Sequence, residues 1–229
     1  MNPRNSRQFG RWKAALIGSA LLLALPSAMP AAATTAPGAS AASGQEQFRK
    51  LYLGSAWYPE QWPEERWAED LRLMQAHGAN VVRIGEFAWS AMEPTEGAYD
   101  LGWLVRAVRL AAKYDIKVVI GTPTDTPPAW MTQKYPEVLR IDGDGKRLGH
   151  GGRRQFSISD PHYRQLSRDI VSRMAQALGH EPNVIGWQIG NEYTDESYDP
   201  AAKAGWIDWL KDRYGTLDKL NDAWTTQYW

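Results

Sequence analysis

The stretch VIGWQIGNEYTDE, Val184 to Glu196, decides how the chain is read. A short apolar run bounded by polar residues reads as a buried strand. Its carboxyl end delivers an amide and a carboxylate side by side, Asn191 and Glu192. Working backwards, the same rhythm recurs. LYLGSAWY (51–58), ANVVRIGEF (79–87) and IKVVIGT (116–122) are strand candidates. Between them lie helical patterns. PEERWAEDLRLMQAHG (63–78) starts near a proline, ends on a glycine and sets Trp67, Leu71 and Met74 on one face. LGWLVRAVRLAAKYD (101–115) repeats Leu104, Val108 and Ala111 at helical spacing, and PHYRQLSRDIVSRMAQALGH (161–180) and AGWIDWLKDRYG (204–215) follow.

Strands alternating with helices imply parallel strands joined by crossovers. Helix-to-strand junctions are short and strand-to-helix segments long, the longest being the irregular passage 122–159. That asymmetry matches a (β/α)8 barrel, whose working loops follow the strands. A doubly wound open sheet is the rival. It favours a glycine-rich phosphate turn after its first strand, and GSAWYPEQW (54–62) is no such turn. Four strand–helix units are visible where a full TIM barrel has eight, so residues 48–229 are expected to be the N-terminal half of such a domain.

The preceding residues are of another kind. Arg4, Arg7, Arg11 and Lys13 come before an apolar run, Ala14–Leu25, and then small residues, so 1–33 is expected to be a signal peptide cleaved near Ala33. The run is too short to span a bilayer, so no membrane anchor is expected after cleavage, and the location implied is secreted or periplasmic. Residues 34–47, small and polar, are expected to be a disordered linker. Without the four N-terminal cations, 22 basic residues face 26 acidic ones, which argues against a nucleic-acid partner. The absence of cysteine excludes disulfides, thiolate nucleophiles and Cys-ligated zinc. Twelve tryptophans divide between core packing and flat platforms for sugar rings.

In a barrel, the residues beyond strand ends converge on one mouth: Tyr58 and Glu60, Glu86 and Trp89, Thr122 and Asp125, Asn191 and Glu192, with Arg83 inside the second strand. A single such carboxylate is more often a salt-bridge partner than a catalyst. Convergence from four strands favours the catalytic reading. Cleavage of a glycosidic bond needs a carboxylic acid to protonate the leaving oxygen, and burial between aromatic walls keeps a glutamate protonated near neutral pH. Trp187 and Tyr193 are the candidate walls for Glu192, and Asn191 suits a sugar hydroxyl beside the reacting carbon.

YPEQWP (58–63), NVVRIGEFAWSAMEPTEGAYDLGWL (80–104), GTPTDTPPAWM (121–131), YPEVL (135–139), HGGRRQFS (150–157) and GWQIGNEY (186–193), in that order, resemble glycoside hydrolase family 42, the β-galactosidases. The resemblance runs from about Tyr52 to Trp229. It implies a retaining mechanism on a TIM barrel, with a β-galactoside or related oligosaccharide as substrate. Glu192 matches the family's general acid/base, Asn191 its galactose-binding amide, and Arg154 an arginine that grips the galactose. Arg83 matches a supporting arginine that orients the nucleophile. The family's nucleophile is a strand-seven glutamate, expected beyond Trp229 and so not in this chain. Glu86 is a weak stand-in. Many family members hold a structural zinc through cysteines; here Ser157 stands at one such position, and His150 and His162 alone make a poor site, so no metal and no cofactor are expected. A homo-oligomer, a trimer, is implied by the same resemblance. The alternatives are a non-catalytic remnant with weak sugar binding and a barrel glycosidase for another β-linked sugar.

Overall fold

The computed structural model describes residues 51–193 and 196–227, all within the compact unit Lys50–Trp229. The signal peptide and linker expected over 1–47 lie outside the described residues. The element order is β1 (Gly54–Ala56), α1 (Glu64–Ala76), β2 (Val81–Ile84), a short α2 (Trp89–Met92), α3 (Gly102–Lys113), β3 (Lys117–Gly121), a short α4 (Ala129–Lys134), α5 (Pro161–Leu178), β4 (Val184–Gln188), α6 (Pro200–Tyr214) and α7 (Leu217–Trp224). The strands form one parallel sheet in the order β1-β2-β3-β4. Sequential parallel strands with alternating helices are the (β/α) barrel pattern, in its first four units.

Each helix starts and stops for a local reason. In α1, Pro63 precedes the first turn, Glu64 and Glu65 sit where the helix dipole favours anions, and Gly78 takes φ +85 just past the end. Trp67 and Leu71 are buried on the expected face, and Met74 packs beside them. In α3, Leu104, Ala107, Val108 and Ala111 are all fully buried, the i, i+3, i+4, i+7 stripe of a core-facing helix. In α5, Pro161 occupies the first turn and the Asp160 carboxylate accepts the Tyr163 backbone N–H at 2.9 Å.

The two faces of the sheet differ. Val82, Ile84, Val118 and Ile120 are buried against Leu71, Val108, Ile170 and Met174 of the helices. Complete burial of each such side chain is worth about 1.5–3 kcal/mol. Val81, Arg83 and Val119 point to the other face and are half-buried. The register sets Arg83 beside Val119 and Val119 beside Gly186.

Two features of β4 depart from the sequence reading. The strand was expected to be buried, yet all five of its residues are half-buried, because β4 lies outermost among the described strands with β3 as its one neighbour. The register also slips. Val118 pairs with Val184, but Val119 pairs with Gly186, so Ile185 is an extra residue on β4. Val184 and Trp187, three apart, therefore both pack on the helix side.

Two predictions follow from this packing. A Cβ at Gly121 would lie 2.4 Å from Glu86 Cβ and 2.9 Å from its Cα. Gly121→Ala is expected to destabilise the fold by about 1–3 kcal/mol through overpacking, read as a lower urea midpoint; an unchanged midpoint would contradict the contact. The second concerns Asp199, which caps α6 by accepting the Ala202 N–H at 3.0 Å. Burial pushes its carboxyl up, but hydrogen bonds from Ser157, Ser197 and the backbone at Ala202 and Ala201 outweigh that and hold it below the usual aspartate value. Its contribution is thus complete above the unfolded pKa and lost as pH falls through the lower, folded one. Asp199→Ala should cost about 1 kcal/mol at neutral pH, with the difference from the parent shrinking in acid.

Candidate active site

Residues after the carboxyl ends of the four strands, joined by the segment 150–157, build one polar site. β4 itself ends at Gln188, so Asn191 and Glu192 stand on a turn beyond it. That turn is latched to β3: the Thr122 N–H donates to the Gln188 carbonyl at 2.9 Å, and the Gly190 N–H donates to Thr122 Oγ1 at 2.7 Å. Gln188 Nε2 donates to the Gly190 carbonyl at 2.9 Å and to Asn191 Oδ1 at 3.0 Å. Gly190 has φ +63, and any Cβ there would fall 2.0 Å from the Tyr193 hydroxyl oxygen. Glu192 follows at φ +55, a left-handed conformation uncommon outside glycine.

Two arginines meet Glu192. Arg153 Nη2 donates to Glu192 Oε2 at 3.1 Å. Arg154 Nη1 donates to the Glu192 carbonyl at 2.9 Å and lies 3.6 Å from Oε2. Arg154 also has a positive φ, +56, and its backbone N–H donates to the Asp125 carbonyl at 3.3 Å. The Arg153 guanidinium sits 5.0 Å above the Phe87 ring, which stacks on Tyr58. A pocket of about 250 Å³ opens here, lined by Asp125, Arg154, Phe156, Ile158, Glu192 and Tyr193 among others.

Arg83 makes a separate pair. Its Nε and Nη2 both reach Glu86 Oε1 at 3.0 Å, and Glu86 is completely buried. Glu60 lies near this pair. Its burial, opposed by its own backbone N–H and reinforced by the Glu86 charge, pushes its carboxyl up. Burial first, then Glu86, raises the Tyr58 hydroxyl as well.

The structure thus brings Glu192, Asn191 and Arg154 into one corner and holds Arg83 on Glu86. It corrects three expectations. Trp187 packs on the helix side, because the extra residue in β4 turns it away from the mouth. Tyr193 is 69% exposed and donates its hydroxyl to the Ile189 carbonyl. Glu192, 57% exposed at its side chain, meets two arginines and is not buried between aromatic walls, although Tyr193 and Phe156 line its pocket. Trp89 leaves the mouth too: it is fully buried, with its indole N–H on Glu93 Oε2 at 2.8 Å. The sequence reading gave Arg153 no role. Both members of the doublet turn to Glu192, and Arg154 is the more enclosed, its side chain 27% exposed against 49% for Arg153. The two histidines each have a partner, His150 with Thr132 and His162 with Glu137. Among the described residues no group of three or more His, Asp or Glu side chains is placed to hold a metal ion.

Residues 56–229 match the family model described as β-galactosidase, glycoside hydrolase family 42. A β-galactosidase of Thermus thermophilus is 46% identical over 181 residues, covering 77% of this chain and 28% of its own length. A β-galactosidase of Bacillus licheniformis is 42% identical over 183 residues, covering 79% and 28%. Among solved structures, the β-galactosidase of Marinomonas ef1 superposes with a TM-score of 0.74 at 40% identity, covering 78% of this chain and 28% of that one. A family 42 β-galactosidase of G. stearothermophilus gives 0.74 at 36% identity, covering 78% and 27%. The chain spans 28% of the length of the curated relatives it matches, and the match lies in the segment that carries the site. The chain belongs to glycoside hydrolase family 42, the β-galactosidase family.

Proposed function

We propose that this chain supplies the acid/base side of a retaining glycoside hydrolase that acts on terminal β-D-galactosides. The observation that carries this reading is Glu192 itself. It stands beyond the carboxyl end of a parallel strand, in a strained backbone conformation, facing a pocket it shares with Arg154. In the first half-reaction, the Glu192 carboxyl O–H protonates the glycosidic oxygen as the bond to the anomeric carbon breaks. A glutamate from outside these 229 residues forms an ester to that carbon. In the second, the Glu192 carboxylate takes a proton from water, whose oxygen attacks the anomeric carbon and releases the ester. Asn191 and Arg154 bind galactose hydroxyls. Arg83, rigid on Glu86, orients the nucleophile. Neither metal nor cofactor enters these steps.

The basic and apolar N-terminal segment supports export to the periplasm or the medium, and the family resemblance supports a homotrimer. That the relatives are β-galactosidases supports galactose over other β-linked sugars.

Glu192→Gln is expected to lower hydrolysis of a β-galactoside with an unactivated leaving group by about 100- to 10,000-fold, the usual span for general acid–base assistance. The assay uses this chain, and in parallel the chain joined to the C-terminal part of a family member. Undiminished turnover in the Gln variant would remove Glu192 from the mechanism. Turnover that appears only in the joined protein would assign the remaining groups to the added part.

A further inference from the structure

Asp125 has no role in the steps above, yet its surroundings are those of a binding residue. It follows β3 in the turn Pro123–Asp125 and is 3% exposed. Its Oδ2 is fully enclosed and has no hydrogen-bond partner among the described residues. Asp125 lines the pocket that holds Glu192 and Arg154, and also the adjoining cleft lined by Tyr163, Ile189 and Tyr193. It ties the site together as well: its carbonyl accepts the Arg154 N–H, and the Asn191 backbone N–H points at its carboxylate. Burial pushes the Asp125 carboxyl up, against the Asn191 N–H and the charges of Arg153 and Arg154, while Glu192 adds to the push. An enclosed carboxylate oxygen without a donor is costly, and native proteins rarely keep one without a purpose.

We infer that Asp125 is a substrate-binding residue, whose carboxylate accepts a hydrogen bond from a ring hydroxyl of the glycoside held beside Glu192 and Arg154. The charges around it choose the donor. An ammonium group entering here would face Arg153 and Arg154, which lie close enough to act on the Asp125 carboxylate. A neutral hydroxyl meets no such repulsion. The apolar walls, Phe156, Ile158 and Tyr193, suit the C–H face of a pyranose ring. The inference rests on the proposed function and adds to it a residue that fixes the ring's orientation.

The test is a binding series with methyl β-D-galactopyranoside and its four monofluoro analogues, each with one hydroxyl replaced by fluorine, which cannot donate. Affinities are measured by titration of protein NMR signals with the unsubstituted chain, Asp125→Ala and Asp125→Asn. In the unsubstituted chain one analogue should bind about tenfold or more weakly than the parent glycoside, the scale of a hydrogen bond to a charged acceptor. In Asp125→Ala that analogue and the parent should bind alike. A merely structural role would weaken all five ligands equally. Asp125→Asn keeps the side chain's size, so it decides the matter if the Ala variant does not fold: the gap should shrink with the lost charge. A gap that persists unchanged in both variants overturns the role of Asp125 and leaves the proposed function standing. Absence of binding by the unsubstituted chain overturns the reading of this pocket as a glycoside site, and the inference with it.

Discussion

The carboxylate of Glu86 is enclosed where β2 meets β3, and the site is arranged around that fact. A charge taken fully out of water is tolerated only with a close counterion and good hydrogen bonds. Arg83 supplies both to one oxygen, Oε1, through two nitrogens, while Oε2 is enclosed without a hydrogen-bond partner among the described residues. The space for the carboxylate comes from Gly121, whose missing side chain lets the Glu86 Cβ approach the β3 backbone. Three residues, two on neighbouring strands and one just beyond β2, therefore specify one another. The glycine admits the glutamate, the glutamate fixes the arginine, and the arginine is held at the half-buried face of the sheet.

The second strand end that matters is built on strain. The turn after β4 carries left-handed φ values at Gly190 and at Glu192, and across the pocket Arg154 adds a third. A non-glycine residue in that region costs of order 1 kcal/mol and persists when its surroundings over-determine it. Here the surroundings are hydrogen bonds to rigid elements. Thr122, just past β3, takes the Gly190 N–H, Gln188 ties back to Asn191, and the Asp125 carbonyl takes the Arg154 N–H. Two of these latches, at Thr122 and at Asp125, reach the segment just after β3, so the geometry of Glu192 is set by the neighbouring strand as much as by its own.

Helix α6 is stabilised differently. None of its residues is buried, so apolar burial does not explain it. Its ends do: the Asp199 cap, Pro200 in the first turn, Lys211 and Arg213 in the last, and Gly215 at φ +75 just beyond. Trp206 stacks on Trp209 at 5.0 Å, and Trp224 of α7 lies 6.2 Å from Trp206. Tryptophan thus occupies two kinds of place in this chain. Trp57, Trp67 and Trp89 fill the core, while Trp206, Trp209 and Trp224 form an exposed cluster of rings.

Much of this was legible in the sequence, because strand–helix alternation and caps are local signals. The apolar stripe of α3, the proline that opens α5 and the four strands all lie where periodicity placed them. The side-chain surroundings of Glu192 were not legible, for a reason the structure supplies. Strict alternation along VIGWQIGNE assigns Trp187 to a face by counting, and one extra residue at Ile185 changes the count. A bulge is a property of the pair of strands, since it records how β4 matches β3, and no pattern in β4 alone announces it. The same holds for Arg153 and Asp125. Arg153 acquires its meaning from a ring on the β2 loop and a carboxylate on the β4 turn. Asp125, read from sequence as one more strand-end carboxylate, becomes distinct only once its neighbours have closed around Oδ2 and left it without a donor among the described residues. Non-local pairing decides both, so a family motif can name Glu192 as the acid while leaving open which side chains surround it.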